Sequence, residues 1–238
     1  LGALFATVAL SLTTPDRNPF LASAAGLLAL ALDHDARDPV TRMNLGRVKL
    51  EQGDRRGAES EWLKARAILE AGLPFATDRC PVPFPFDRFR VEWEHAATEP
   101  NSEARAERLR PLLLARTSAA LARLAAPGDD LTAISSWADS VKAAPGLDQN
   151  LLRLGEGLEA LGREAEALEA YLQALELNPF DFEVRARGIG VARRLGETQT
   201  ETRLMSDGAA LATAAPTYQA YRPLFEPRET ELTGRVPA

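Results

Sequence analysis

The stretch Asp148–Asp181, DQNLLRLGEGLEALGREAEALEAYLQALELNPFD, is the most informative about the fold of this 238-residue chain. Its apolar residues recur at helical spacing on both sides of Gly162, which predicts two helices joined by a tight turn. Five positions recur 34 residues upstream: Gly162, Ala167, Tyr171, Ala174 and Pro179 match Gly128, Ala133, Trp137, Ser140 and Pro145. Five matches at one interval predict an array of stacked repeats rather than one central core.

These residues resemble the signature of the tetratricopeptide repeat family. The matching positions are Leu154, Gly155, Gly162, Ala167, Tyr171, Ala174 and Pro179, whereas the family's bulky residue at the start of the first helix is only Leu151 here. The resemblance implies an all-α fold, a right-handed α-solenoid of antiparallel helix pairs. It also implies a protein that binds partners and performs no chemistry itself.

The same register divides the chain into segments. Ala58, Trp62 and Ala65 lie 75 residues before Ala133, Trp137 and Ser140. Because 75 exceeds two repeats by seven residues, we expect one further, irregular unit and a short insertion in the proline-rich loop. Pro111 is expected to interrupt a helix before Leu112–Ala125. The predicted segments are an apolar N-terminal segment (1–17), N-terminal repeats (18–72), the proline-rich loop with an irregular helix pair (73–113), C-terminal repeats (114–215) and an exit segment or linker (216–238).

Two interpretations of the apolar N-terminal segment are open. Leu1–Thr13 carries no charge, but it is shorter than the roughly 20 apolar residues that span a bilayer. It is either the end of a membrane anchor or signal-peptide core that begins upstream, or a helix packed on the array. Localisation is therefore undetermined between cytoplasm and membrane.

Composition excludes several classes of protein. The net charge of −6 argues against a nucleic-acid partner, because binding a polyanion needs a basic surface. Cys80 is the single cysteine, so no intramolecular disulfide exists, and we interpret it as a loop thiol. His34 and His95 are isolated from other ligand residues, and the sequence predicts neither a metal site nor a cofactor.

No catalytic motif is present in the sequence. It lacks a glycine-rich phosphate loop after a strand, a GxSxG motif and an HExxH motif. Gly188, Ile189 and Gly190 fall inside a predicted helix and lack the strand that a nucleotide-binding fingerprint requires. We therefore predict that this chain is not an enzyme, and leave open a catalytic domain fused outside it.

A candidate binding surface follows from the family resemblance, because first helices line the concave groove in such arrays. Projecting each first helix onto that face gives Asn44, Arg47, Glu51, Arg153, Glu156, Arg187, Arg193 and Arg194. The arginines near the C-terminal end favour an acidic protein or peptide partner, since guanidinium groups pair well with carboxylates. The alternative is that these residues are solvated helix-face charges.

Three functional hypotheses follow. The first is a non-enzymatic scaffold that binds a protein partner through the groove or associates with itself. The second is the repeat region of a larger bacterial enzyme, since PFDRFRVEWEHAA with the repeats that follow resembles repeat regions joined to glycosyltransferases. The third is a membrane-tethered assembly protein, with Leu1–Thr13 as the end of its anchor.

Overall fold

The computed structural model describes residues 18–76, 98–125, 130–214 and 216–225. These residues form nine α-helices and one 3-10 helix, with no strand among them. The all-α fold of successive helix pairs is thus confirmed. The chain divides between Leu147 and Asp148 into two units, here named the N-terminal unit and the C-terminal unit.

The N-terminal unit contains the first five of these described helices. They are α1 (Asn18–His34), α2 (Pro39–Glu51), α3 (Arg55–Glu70), α4 (Ser102–Leu124) and α5 (Asp130–Ala143). Side-chain caps begin three of them: the carboxylates of Asp38 and Asp54 and the amide oxygen of Asn101 accept hydrogen bonds from backbone N–H groups of the first turn. Helix α1 packs on α2 through Leu21, Ala24 and Leu28.

The C-terminal unit contains two helix pairs and the 3-10 helix. Its elements are α6 (Asp148–Ala160), α7 (Glu164–Leu177), α8 (Phe182–Leu195), α9 (Thr198–Ala214) and η1 (Pro216–Phe225). The amide of Asn178, just after α7, donates to Asp148 at the start of α6 over 3.0 Å, so the two helices are antiparallel. Helices α5, α7 and α9 begin 34 residues apart, which is the predicted repeat length.

One contact explains why a glycine and an aromatic residue recur in the repeats. A Cβ atom on Gly155 would lie 2.4 Å from the Tyr171 ring, and one on Gly46 would lie 2.5 Å from Trp62 Nε1. Each ring is buried against the glycine of the first helix. The aromatic residue of the second helix therefore approaches the first helix more closely than any side chain would permit.

Helix α4 corrects the prediction for Pro111. The helix runs from Ser102 to Leu124 with Pro111 inside it, and crosses the predicted boundary between residues 113 and 114. Leu109 and Leu113 are fully buried on either side of the proline, and the exposed Pro111 ring faces outward. A proline inside a helix costs about 3 kcal/mol, and burial of two leucines offsets that cost.

The expected intervening unit is corrected as well. Helix α3 packs directly against α4 in antiparallel fashion: Arg55 donates to the Leu124 carbonyl at one end, and Arg110 donates to the Leu69 carbonyl at the other. Among the described helices, pair α2/α3 is therefore followed in the stack by pair α4/α5. The 75-residue offset thus holds one repeat step plus an insertion between α3 and α4.

Residues 216–225, predicted as part of an exit segment, form a 3-10 helix instead. Phe225 is buried over Gly208, and Tyr221 stacks on Phe182 with ring centroids 4.6 Å apart. Burial of apolar surface between these rings and helices α8 and α9 favours this packing.

Several predictions lie outside the described residues. These concern the segment Leu1–Thr13, the thiol of Cys80, the imidazole of His95, and the glycosyltransferase-like stretch before residue 98. Within the part of the chain that is described, no helix is both long and apolar enough to cross a membrane.

Candidate partner-binding face

An ion-pair ladder lies along the first helices of the C-terminal unit. Arg153 and Glu156 of α6 pair at 2.6 Å, and Arg187 of α8 reaches the same Glu156 at 2.8 Å. Arg187 also pairs with Glu183 at 3.4 Å. We name these four residues the α6/α8 ladder. It joins two first helices because residues 153 and 187 occupy equivalent positions one repeat apart.

A second network lies at the other end of the same helices. Arg194 of α8 donates to Glu159 of α6 at 2.7 Å and to Glu164 of α7. Glu159 also accepts a hydrogen bond of 2.9 Å from the Tyr171 hydroxyl. Burial, together with this bond, raises the pKa of the Tyr171 phenol well above its ordinary value. The packing tyrosine of the repeat is thereby tied to the charged surface.

The structure brings some of the predicted face residues together and separates others. Arg153, Glu156 and Arg187 share one ladder, whereas Arg193 pairs with Glu201 of α9 at 2.8 Å. In the N-terminal unit, Arg47 pairs with Glu51 at 2.8 Å, four residues along α2. Asn44 is buried, so its side chain presents little surface. Each predicted arginine therefore already has a carboxylate partner within the chain.

Four of the acidic residues in these ion pairs were not among the predicted site residues. They are Glu159, Glu164, Glu183 and Glu201. The ion pair between Glu183 and Arg187 was predictable from the four-residue spacing of the two residues. The pairs that join different helices depend on how the helices are aligned in space. The only sequence signal for such a pair is a separation close to one repeat, as between Glu159 and Arg194.

The described residues contain no group of three or more His, Cys, Asp or Glu side chains placed to hold a metal ion. What the face offers chemically is a row of guanidinium and carboxylate groups on helices. Such a row is able to exchange internal ion pairs for pairs with a bound segment.

Residues 149–181 match the model of the tetratricopeptide repeat family. The chain has a tetratricopeptide-repeat fold. Each repeat is one of the helix pairs described above, and the matched residues are those of α6 and α7 with the turn that follows. The predicted family resemblance is thus confirmed at the level of the repeat.

Solved structures that superpose on this fold include several of MamA. A structure of MamA protein is 12% identical, covers 90% of this chain and 96% of its own, and superposes with a TM-score of 0.56. MamA AMB-1 is 17% identical, with coverages of 95% and 94% and a TM-score of 0.56. A double mutant of MamA RS-1 is 14% identical, with coverages of 91% and 97% and a TM-score of 0.51. No curated protein sequence matches the chain.

Proposed function

We propose that this chain is a non-enzymatic scaffold that binds an extended segment of a protein partner on the first helices of its repeats. The observation that carries the proposal is the α6/α8 ladder. Its arginines are partly exposed, and they are spaced one repeat apart on neighbouring helices. Such spacing provides regularly placed charged contacts along an extended peptide.

The partner segment is proposed to be acidic at the positions that meet Arg153 and Arg187. A partner carboxylate competes with Glu156, which both arginines share at present. When the partner supplies its own carboxylate, each arginine gains an unshared bidentate partner. Self-association is the special case in which a second copy supplies that segment.

The experiment places a photo-crosslinking amino acid at Arg153 or Arg187 in the full-length protein, in the cell that makes it. Mass spectrometry then identifies the partner and its crosslinked segment. With the purified partner, R153E/R187E is expected to lower affinity at least about tenfold, because two attractive contacts become repulsive.

The matched control is Arg163→Glu. Arg163 is an exposed arginine that pairs with Glu166 at 2.6 Å at the start of a second helix. The R163E variant should bind the partner as tightly as the unaltered protein does. Equal binding by the ladder variant and the control would exclude this face as the docking surface.

A further inference from the structure

A buried carboxylate in the N-terminal unit is surrounded by three cations. Glu61 of α3 accepts from Arg42 at 2.7 Å, from Lys64 at 3.1 Å and from Lys49 at 3.5 Å. We name these four residues the Glu61 cluster. Two of the three lysines of the whole sequence are in it, so the chain concentrates its lysines at one place.

The repeat fold does not require these charges. In the register that aligns Trp62 with Tyr171, the repeat of the C-terminal unit places Leu151, Leu158, Ala170 and Gln173 at the positions of Arg42, Lys49, Glu61 and Lys64. The two leucines and the alanine are buried there. Since apolar residues usually stabilise a buried site as well as an ion pair does, the cluster calls for an explanation other than packing.

The cluster carries more positive than negative charge. Burial raises the pKa of Glu61, but hydrogen bonds from Lys64 and Arg42 outweigh this effect and hold the pKa below its ordinary value. One ionised carboxylate therefore faces three cations. At three and four residues from Lys49 and Lys64 along their helices, the sequence offers no acid other than Glu61.

The excess charge is accessible from solvent. The Lys64 side chain is 51% exposed and that of Lys49 is 27% exposed, whereas Glu61 is only 8% exposed. An approaching anion therefore meets the ammonium groups, with the compensating carboxylate behind them. Three cations around one site repel each other, and a second carboxylate would relieve this repulsion.

We propose that the Glu61 cluster docks an acidic segment of a protein partner, with one partner carboxylate bridging the ammonium groups of Lys49 and Lys64. The local charge matches one or two carboxylates. A nucleic acid would need a longer basic track, and the net charge of −6 opposes it. The site lies in the N-terminal unit and needs no contribution from the α6/α8 ladder, so either proposal can fail alone.

The test measures fluorescence anisotropy of a labelled peptide of alternating Glu and Gly, titrated with the full chain at low ionic strength. The same peptide with Gln in place of Glu is the reference. We expect the Glu peptide to bind more tightly, and K49Q/K64Q to weaken it about three- to tenfold, since each exposed ionic contact contributes modestly. The matched control is Lys142→Gln, which removes the third lysine of the sequence, on α5, and should leave binding unchanged.

A second variant separates binding from folding. R42L/K49L/E61A installs the residues that the repeat of the C-terminal unit has at these three positions, so it should unfold at the same temperature as the unaltered protein or at a higher one. It should nevertheless lose the preference for the Glu peptide. Equal binding of Glu and Gln peptides would overturn the proposal. So would loss of Glu-peptide binding in R153Q/R187Q without loss in K49Q/K64Q, or tighter binding of a short duplex DNA than of the peptide.

Discussion

At the residue scale, Gly155 and Tyr171 show what the repeat signature encodes. The ring lies where a side chain on residue 155 would have to stand. We predict that Gly155→Ala lowers the free energy of unfolding by about 1–3 kcal/mol, because the buried ring has to shift to admit the methyl group. Urea denaturation of the full chain measures this effect.

Gly190→Ala is the control for that substitution. Gly190 lies inside α8, and the nearest atom to an added Cβ would be Arg194 Nη1 at 3.7 Å, an ordinary contact. Here alanine should stabilise by about 0.5–1 kcal/mol, since glycine inside a helix loses more backbone entropy on folding. If both substitutions shift the urea midpoint in the same direction, the close contact with the Tyr171 ring is not the reason that residue 155 is glycine.

The Tyr171 hydroxyl predicts a pH dependence. Burial and the bond to Glu159 raise the pKa of the folded phenol, whereas in the unfolded chain it is about 10. Above pH about 10 the unfolded state therefore releases this proton first, and stability falls as pH rises further. We expect Tyr171→Phe to be less stable than the unaltered protein near pH 8 and the difference to shrink at alkaline pH. If the urea midpoints of the variant and the unaltered protein differ by the same amount at every pH in this range, the prediction is wrong.

At the element scale, α4 shows how tertiary packing overrides a local rule. We predict that Pro111→Ala raises the free energy of unfolding by about 1–2 kcal/mol. The alanine restores a backbone donor inside the helix, and only part of this gain is offset by the freer unfolded chain. Thermal unfolding followed by circular dichroism measures the change.

Pro39→Ala tests the same rule where proline suits the helix. Pro39 begins α2, and its ring is fully buried. Proline is favoured at a first helical position, where its missing N–H group costs nothing. This substitution should therefore lower stability while Pro111→Ala raises it.

The packing of the 3-10 helix η1 depends on the buried side chain of Phe225. Phe225 is 3% exposed and packs against Phe182 and the Gly208 backbone, so Phe225→Ala should cost about 3–5 kcal/mol. Its neighbour Leu224 is 52% exposed, and Leu224→Ala should change stability by no more than about 0.5 kcal/mol. Equal effects in chemical denaturation would show that η1 does not depend on Phe225 for its packing.

Helix bounds were predictable where caps and stops lie close by in sequence. Helix α8 spans Phe182–Leu195, because Asp181 caps its start and Gly196 ends it with φ near 73°, and both are local sequence signals. The continuity of α4 and the packing of η1 were not predictable, because both depend on contacts with helices distant in sequence. For the same reason, the pair Glu183–Arg187 within α8 was predictable from its spacing, whereas the pair Glu156–Arg187 between α6 and α8 was not.

At the scale of the whole molecule, each described helix contacts chiefly its neighbours within its own unit. Stability is then a sum of local terms. We predict that Gly155→Ala speeds amide hydrogen exchange in α6–α9 and leaves the rates in α1 and α2 unchanged. Equal acceleration along all described helices would indicate a single cooperative unit instead.

The connection between α3 and α4 has a consequence for protein engineering. The end of α3 and the residues that follow it are held against α4, since Arg110 donates to the carbonyls of Leu69 and Leu73. Lengthening a closed connection costs only about 0.6 kcal/mol for each doubling. A reporter domain spliced in between Ala76 and Thr98 should therefore leave the repeat register intact, which makes this position an internal fusion point for tagging the protein while both chain termini stay native.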